Sequence, residues 1–385
     1  MKINQKYFPF KITFIGSCII YLISCKTPFN PQVRSSNIHD LVVEGYLNTN
    51  GETNIKLSRT RNITWGDTAS FINETNATVL IEDNQNNVYP LNETQGGNYT
   101  GTYFLNSLYK YRLHIITSDQ REYLSDFVEC KISPSIDNVA WNLLDGGIQI
   151  SLDTHDPNNN TKYYLWSYTE TWEFHSQYFS NVKYNPIDTT VVTRTVPVVV
   201  CYRQGHGTSI LLGSSAKLSQ DVIHEAPILY IPNHDKRIAV LYSMLISQFA
   251  LDSNAYNYLS AMKSNTEHLG SIFDPQPNQT KGNIHCVSDT TEIVIGYVGS
   301  GAATQKRIFI SNSEIPSDWN LPPNCIEYKV PNNKDSIYKW YSGNSLVPYL
   351  KDSGPNGTVK GYFSASGTCV DCTLSGTPDK PTYWP

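Results

Sequence analysis

Charge is scarce in this chain. Lys, Arg, Asp and Glu fill 16% of its 385 positions, against about 25% in an ordinary soluble domain. Basic residues are outnumbered by acidic ones, 29 to 34, for a formal charge of −5. The basic footprint of non-specific nucleic-acid binding is therefore missing, and no nucleic-acid partner is expected. No apolar run reaches the roughly 18 residues that would span a bilayer as a helix. Also missing are a Gly-x-Ser-x-Gly elbow, a His-Glu-x-x-His zinc helix and a phosphate-binding loop. No catalytic residue, cofactor or metal is expected. What is present is a hydrophobic content of 39%, with 26 Tyr. That excludes global disorder. The length exceeds one ordinary core and predicts two or more domains.

The N-terminus reads as an address. Lys2, Lys6 and Lys11, with no acid among them, accompany an apolar stretch from Ile12 to Ile23. It is too short for a ~30 Å hydrocarbon core and has the form of a signal-peptide core. The stretch ends Leu22-Ile23-Ser24-Cys25, which resembles a bacterial lipobox. We expect residues 1–24 to be a lipoprotein signal, Cys25 the lipidated residue and 25–38 a tether. An ordinary secretory signal with a chance cysteine is the alternative. Acyl chains contribute ~0.8 kcal/mol per buried CH₂, so several of them hold firmly to a membrane. Lys26, in place of Asp, follows the cysteine. By resemblance to lipoproteins of double-membrane bacteria, this favours the outer membrane, periplasmic or surface face left open. Processing leaves 361 residues with a charge of −8.

Cysteine use changes with that address. Cys18 leaves with the signal and Cys25 takes the lipid. Cys130, Cys201, Cys286, Cys325, Cys369 and Cys372 remain as disulfide candidates of unknown connectivity in an oxidising compartment. Cys369 and Cys372 form a Cys-x-x-Cys pair. A redox motif would need a stabilised thiolate. A zinc site would need further ligands, for which Cys325, Cys286 and His285 are the available donors. No βαβ pattern surrounds the pair, and structural disulfides pinning a loop-rich C-terminal tail are the expected role.

The fold class expected is mainly β. Short β-branched and aromatic runs begin at Leu41 and recur to Val128, separated by Asn/Gly clusters such as 83–87 and 95–98. Their number and spacing predict an immunoglobulin-like sandwich over residues 39–132. Tyr111, Leu113 and Ile115 alternate as on a sheet with one buried face. A break near Ser133-Pro134 opens a second β-rich domain, 133–385, also read as sandwich-like. One helix is predicted over 253–269, with Ser253 as N-cap and Ala255, Tyr258, Leu259 and Met262 on one face. The stretch from Asn320 to Tyr338 reads as irregular.

The longest strand expected runs from Tyr163 to His175. Its Glu170 and Glu173 have odd separation, which puts them on opposite faces and argues against a paired-carboxylate glycosidase. Glu170, Trp172 and Phe174 share a face that suits a core. The other reading is a ligand platform of Trp166, Tyr168 and Trp172 for a sugar or peptide.

Several segments together carry a family pattern. They are Leu41-Val42-Val43-Glu44-Gly45, Trp166-Ser167-Tyr168-Thr169-Glu170, Ser271-Ile272-Phe273-Asp274-Pro275, Val294-Ile295-Gly296-Tyr297, Cys369-Val370-Asp371-Cys372 and Lys380-Pro381-Thr382-Tyr383-Trp384. With the lipobox, they resemble the Bacteroidota outer-membrane lipoprotein family catalogued as domain of unknown function 4249. Tyr383 departs from the Phe that members often carry. The resemblance implies an accessory or ligand-binding lipoprotein without enzymatic activity. Its implied partner is a TonB-dependent outer-membrane receptor in nutrient uptake. It transfers no catalytic residues and names no ligand. A glycan-active enzyme and a structural adhesin module are the competing classes.

Overall fold

The computed structural model describes residues 39–61, 72–267, 281–319, 324–343 and 345–385. Cys25, the signal and the tether lie outside the described residues, as do the motif at Ser271 and the predicted end of the helix. The described chain is mainly β.

Nine strands come first: β1 Leu41–Asn48, β2 Asn50–Arg59, β3 Ile72–Asn73, β4 Thr78–Asp83, β5 Val88–Gln95, β6 Asn98–Phe104, β7 Lys110–Ile116, β8 Glu122–Ser125 and β9 Val128–Ile132. A second run follows with β10 Ile136–Leu144, β11 Gly147–His155, β12 Tyr163–His175, β13 Val182–Asn185, β14 Thr190–Thr193, β15 Val200–His206, β16 Leu211–Ser214, β17 Val222–Pro232 and β18 Leu241–Ala250. Helix α1 is Ser253–Glu267. The chain then returns through β19 Ile284–Cys286, β20 Val294–Ile295, β21 Ser300–Ala302 and β22 Thr304–Ser311. The tail holds β23 Tyr328–Pro331, α2 Lys334–Tyr341, β24 Val347–Ser353 and β25 Val359–Ala365.

The first body closes on itself. Strands pair in the order β7-β4-β5-β6-β2-β1-β21-β9, and β9 pairs back to β7, an eight-strand ring. An open immunoglobulin-like sandwich was expected here, and the ring replaces it. The physical reason is β21. It lies parallel to both β1 and β9 and fills the gap between them, so the sheet keeps no edge at that point. The boundary at residue 132 also changes, because β19, β20 and β21 all join the first body's sheet.

Period-two alternation fills the ring. Leu41, Val43 and Leu47 of β1, Ile55 and Leu57 of β2, and Tyr111, Leu113 and Ile115 of β7 all point into one core. Each such side chain contributes about 1.5–3 kcal/mol on full burial. Gly45 sits at φ +143, and a Cβ there would meet the Asn54 carbonyl at 2.4 Å. The Val-Glu-Gly run of β1 therefore needs its glycine. At one end of the ring Arg59 reaches Glu74 at 2.6 Å and Glu292 at 3.3 Å, and Tyr123 donates to Glu292 at 2.7 Å. These contacts tie the returning segment to the ring.

The second body has two sheets, β10-β11-β17 and β15-β12-β18-β22, sharing one core. The tail is more regular than its composition suggested. Between 320 and 338, β23 and the first residues of α2 are formed, and β23 joins β25 and β24. Asn333 accepts from the Ser336 amide to start α2. No helix among the described residues is long and apolar enough to cross a membrane, which says nothing about a β-barrel span.

Candidate functional site

The two bodies and helix α1 meet around a groove of about 430 Å³. Its floor is the outward face of β1, with Val42, Glu44 and Tyr46. These residues alternate with the inward Leu41, Val43 and Leu47, so the same two-residue period makes both the core and the groove floor. One wall is α1, which offers Tyr258, Leu259 and Met262. The other is the second body's sheet, with Leu165 and Phe249. Gly296 and Tyr297 close one end. A Cβ at Gly296, at φ +155, would lie 2.4 Å from the Val43 carbonyl, so only glycine allows this close approach.

Aromatic contacts organise the walls. Tyr46 and Phe249 have ring centroids 4.7 Å apart, and Tyr258 and Tyr297 5.7 Å. The Tyr46 hydroxyl donates to the Ala250 carbonyl at 3.0 Å. Burial, with help from Cys130 and Asp252, holds the Tyr46 phenol far above its usual range, so it remains a neutral donor. Burial and the nearby Asp252 carboxylate push Tyr297 up to about 12. Asp252 also starts α1, accepting from the Ala255 amide at 2.7 Å. The expected cap was Ser253, which is instead the first helical residue. Polar groups sit at the rim, among them Glu52, Asn54 and Ser167. A concavity with aromatic and aliphatic walls and a few polar rim groups suits capture of a ligand's apolar body.

The platform proposed from sequence is not part of this surface. Trp166 is 3% exposed and Trp172 7%. Both belong to the second body's core, and Tyr168 packs against it. Trp166 donates its indole N–H to Gln248 at 2.8 Å, deep in that core. The three rings pack into one core with residues of the β10-β11-β17 sheet. The groove residues Tyr46, Phe249 and Tyr297 were missed. The signal was present only for Tyr258, Leu259 and Met262, through their helical spacing.

Glu170, on the same inward face, is taken up by the Arg237 guanidinium at 3.0 Å and the Tyr242 hydroxyl at 2.8 Å. Glu173, on the other face, accepts from the Trp384 indole at 3.0 Å. The strand thus separates the two carboxylates as its period requires.

Four of the six candidate cysteines are paired. Cys201 joins Cys372, and Cys325 joins Cys369. The Cys-x-x-Cys residues therefore go to different partners, and neither is a free thiol for redox or zinc chemistry. Cys130 and Cys286 are free, against the expectation that all six pair. Cys286 packs in the ring's core, and Cys130 lies against it with its thiol 3.3 Å from the Thr49 hydroxyl. Burial pushes both thiols up. Among the described residues no group of three His, Cys, Asp or Glu side chains could hold a metal ion.

The family described as "Domain of unknown function (DUF4249)" matches residues 26–307. The chain belongs to the DUF4249 family. The DUF4249 match takes in the whole ring, α1 and the groove, and stops inside β22. The tail motifs at Cys369 and Lys380, included in the resemblance drawn from sequence, lie beyond it. No curated protein matches the chain. Among solved structures, a two-domain fibronectin type-III segment of chicken tenascin is 11% identical, over 56% of this chain and 93% of that one, with a TM-score of 0.16. A chitinase from Bacillus thuringiensis is 11% identical, over 50% of this chain and 30% of its own, also at 0.16. Scores this low carry no argument about fold or activity.

Proposed function

We propose that this DUF4249 protein is a lipid-anchored outer-membrane lipoprotein that captures a small ligand and works with a TonB-dependent receptor in nutrient uptake. It is a binding protein, not an enzyme. The observation that carries the reading is the groove between β1, α1 and the second body's sheet. Its aromatic and aliphatic walls suit the apolar part of a ligand, and its polar rim suits orientation. The second body, with two sheets over one core, is read as the sandwich expected from sequence. The anchor rests on Cys25 and the signal-like segment before it. The receptor rests on the family resemblance. A tether confines the groove near the transporter and raises the effective concentration of captured ligand there.

Two measurements test the reading. The fluorescent probe N-phenylnaphthylamine should bind saturably at one site per chain, and Leu259→Asp should remove that binding while leaving the melting temperature within a few degrees. Non-saturable binding, or binding unchanged by Leu259→Asp, removes the groove from the reading. A tagged full-length chain, extracted in detergent from its own membrane, should co-purify with a TonB-dependent receptor. Its absence from the purified material rejects the partnership.

A further inference from the structure

A second concavity lies on the outward face of the second body's larger sheet. It encloses about 330 Å³ and is lined by Thr169, Glu170 and Thr171 of β12, Gln204, Gly205 and His206 of β15, Arg307 of β22, and Tyr383 of the tail. The lining groups are hydroxyl, amide, imidazole, guanidinium and one carboxylate, that of Glu170, whose oxygens accept from Arg237 and Tyr242. This differs from the aromatic groove beside α1 and shares no residue with it.

Arg307 is the unusual member. Its guanidinium lies over the Tyr383 ring, with Cζ 3.6 Å from the centroid. One of its nitrogens donates to the Ser243 hydroxyl at 3.0 Å. Tyr383 is in turn fixed by a 2.8 Å hydrogen bond between its hydroxyl and that of Thr171. Stacking and hydrogen bonding therefore hold the guanidinium in one orientation. Yet among the described residues no carboxylate pairs with it. Arg59, Arg112, Arg121, Arg194 and Arg237 each hold one. Arg203 has none either, but it is exposed, whereas Arg307 is half-buried.

The two acids of β12 are already committed. Glu170, beside Gly205, gives its oxygens to Arg237 and Tyr242. Glu173 gives its own to His175 and the Trp384 indole. A partly desolvated, oriented cation without a counter-charge is costly to keep, unless an anion completes it. Its fork geometry matches the two oxygens of a carboxylate, sulfate or phosphate. The exposed Thr169, Gln204 and His206 stand at the same concavity, ready to hydrogen-bond a hydrophilic body.

We propose that Arg307 anchors a binding site for an oxyanion carried on a small hydrophilic ligand, with Thr169, Gln204 and His206 contacting the rest of it. The site is built by the tail, because Tyr383 both supports the guanidinium and forms one wall.

The test is calorimetric titration of the full-length lipoprotein in detergent with glucuronate, inorganic sulfate and inorganic phosphate, with glucose as the neutral control. At least one of the three anions should bind at one site per chain, and glucose should bind at least tenfold more weakly. Affinity for the anion should fall with added sodium chloride. Arg307→Gln should weaken anion binding at least tenfold, and Arg307→Lys should restore only part, because lysine keeps the charge and loses the fork. Gln204→Ala and His206→Ala change exposed side chains and keep the test open if the Arg307 variants fail to fold. Together they should weaken glucuronate more than inorganic sulfate. The proposal is overturned if none of the three anions binds at millimolar concentration, if glucose binds equally well, or if Arg307→Gln folds and binds as before. Which anion binds tells a carboxylate ligand from a sulfated or phosphorylated one.

Discussion

Tyr46 of the first body and Phe249 of the second pack with ring centroids 4.7 Å apart, and the Tyr46 hydroxyl is bonded to the next residue's carbonyl, that of Ala250, at 3.0 Å. This pair joins the bodies and forms part of the groove. Two neighbouring bonds hold the segment that links the bodies against the second body's sheet. Ser133 accepts from the Ala250 amide at 2.8 Å, and Thr304 donates to the Pro134 carbonyl at 2.8 Å. The junction is thus made of short bonds between residues far apart in sequence.

Tyr46→Phe keeps the ring contact and orphans one buried acceptor, so it should cost about 1 kcal/mol. Tyr46→Ala removes the ring as well and should cost about 3–5 kcal/mol. Urea denaturation monitored by circular dichroism reads both. Equal losses for the two variants would show that the ring contact contributes nothing.

The tail is held by Cys201–Cys372 and by backbone pairing of Tyr202 with Thr377. The double variant Cys201→Ser, Cys372→Ser should lose about 2–4 kcal/mol. It should also expose residues after Ser366 to protease and red-shift the emission of Trp384, which is buried against Tyr202 and Phe309. A tail as protease-resistant as the parent's would mean that packing alone holds it.

A secreted form beginning at Lys26 should titrate two thiols per chain in denaturant without reductant, those of Cys130 and Cys286. The native protein should react slowly, because burial raises both thiol pKa values and limits access. A count of zero under denaturing conditions would restore the three-disulfide expectation.

Asp83 gives an acid-side prediction. Burial alone would raise its carboxyl, but hydrogen bonds from Asn87, Gln85 and Tyr89 outweigh this and hold it below the usual carboxylate range. A carboxyl depressed in the folded state contributes stability above its unfolded value. That stability is lost as pH falls through the folded value, in the window below about pH 4. Asp83→Asn should cost about 1–3 kcal/mol at pH 7 and flatten the loss of stability between pH 4 and pH 2. An unchanged slope across that window would contradict the assignment.

Much of the fold was legible because its rules are local. The long strand from Tyr163 to His175 matches its expected limits, since its residues are rich in aromatic side chains and contain no glycine or proline. The helix was readable from its spacing, with its cap displaced by one residue to Asp252. The opposed faces of Glu170 and Glu173 followed from the strand period alone. The limits of β20 were not legible. Glu292 to Val298 reads as a strand, but only Val294 and Ile295 pair, and Gly296 after them, at φ +155, packs closely on the Val43 carbonyl of β1.

Sequence by itself determined the mainly β character, the alternation that fills the first body, the helix and the family. The first three depend on residues a few positions apart, so propensity and periodicity carry them, whereas the family rests on the resemblance of motifs spread along the chain. Tertiary structure alone decided the rest. It closed the first sheet with β21, a strand from far along the chain. It chose Cys201–Cys372 and Cys325–Cys369 over the other pairings, and it turned the Trp166–Trp172 face into core. It also left Arg307 without a carboxylate partner among the described residues. These outcomes depend on which distant surfaces meet, and a local pattern of side chains does not encode that.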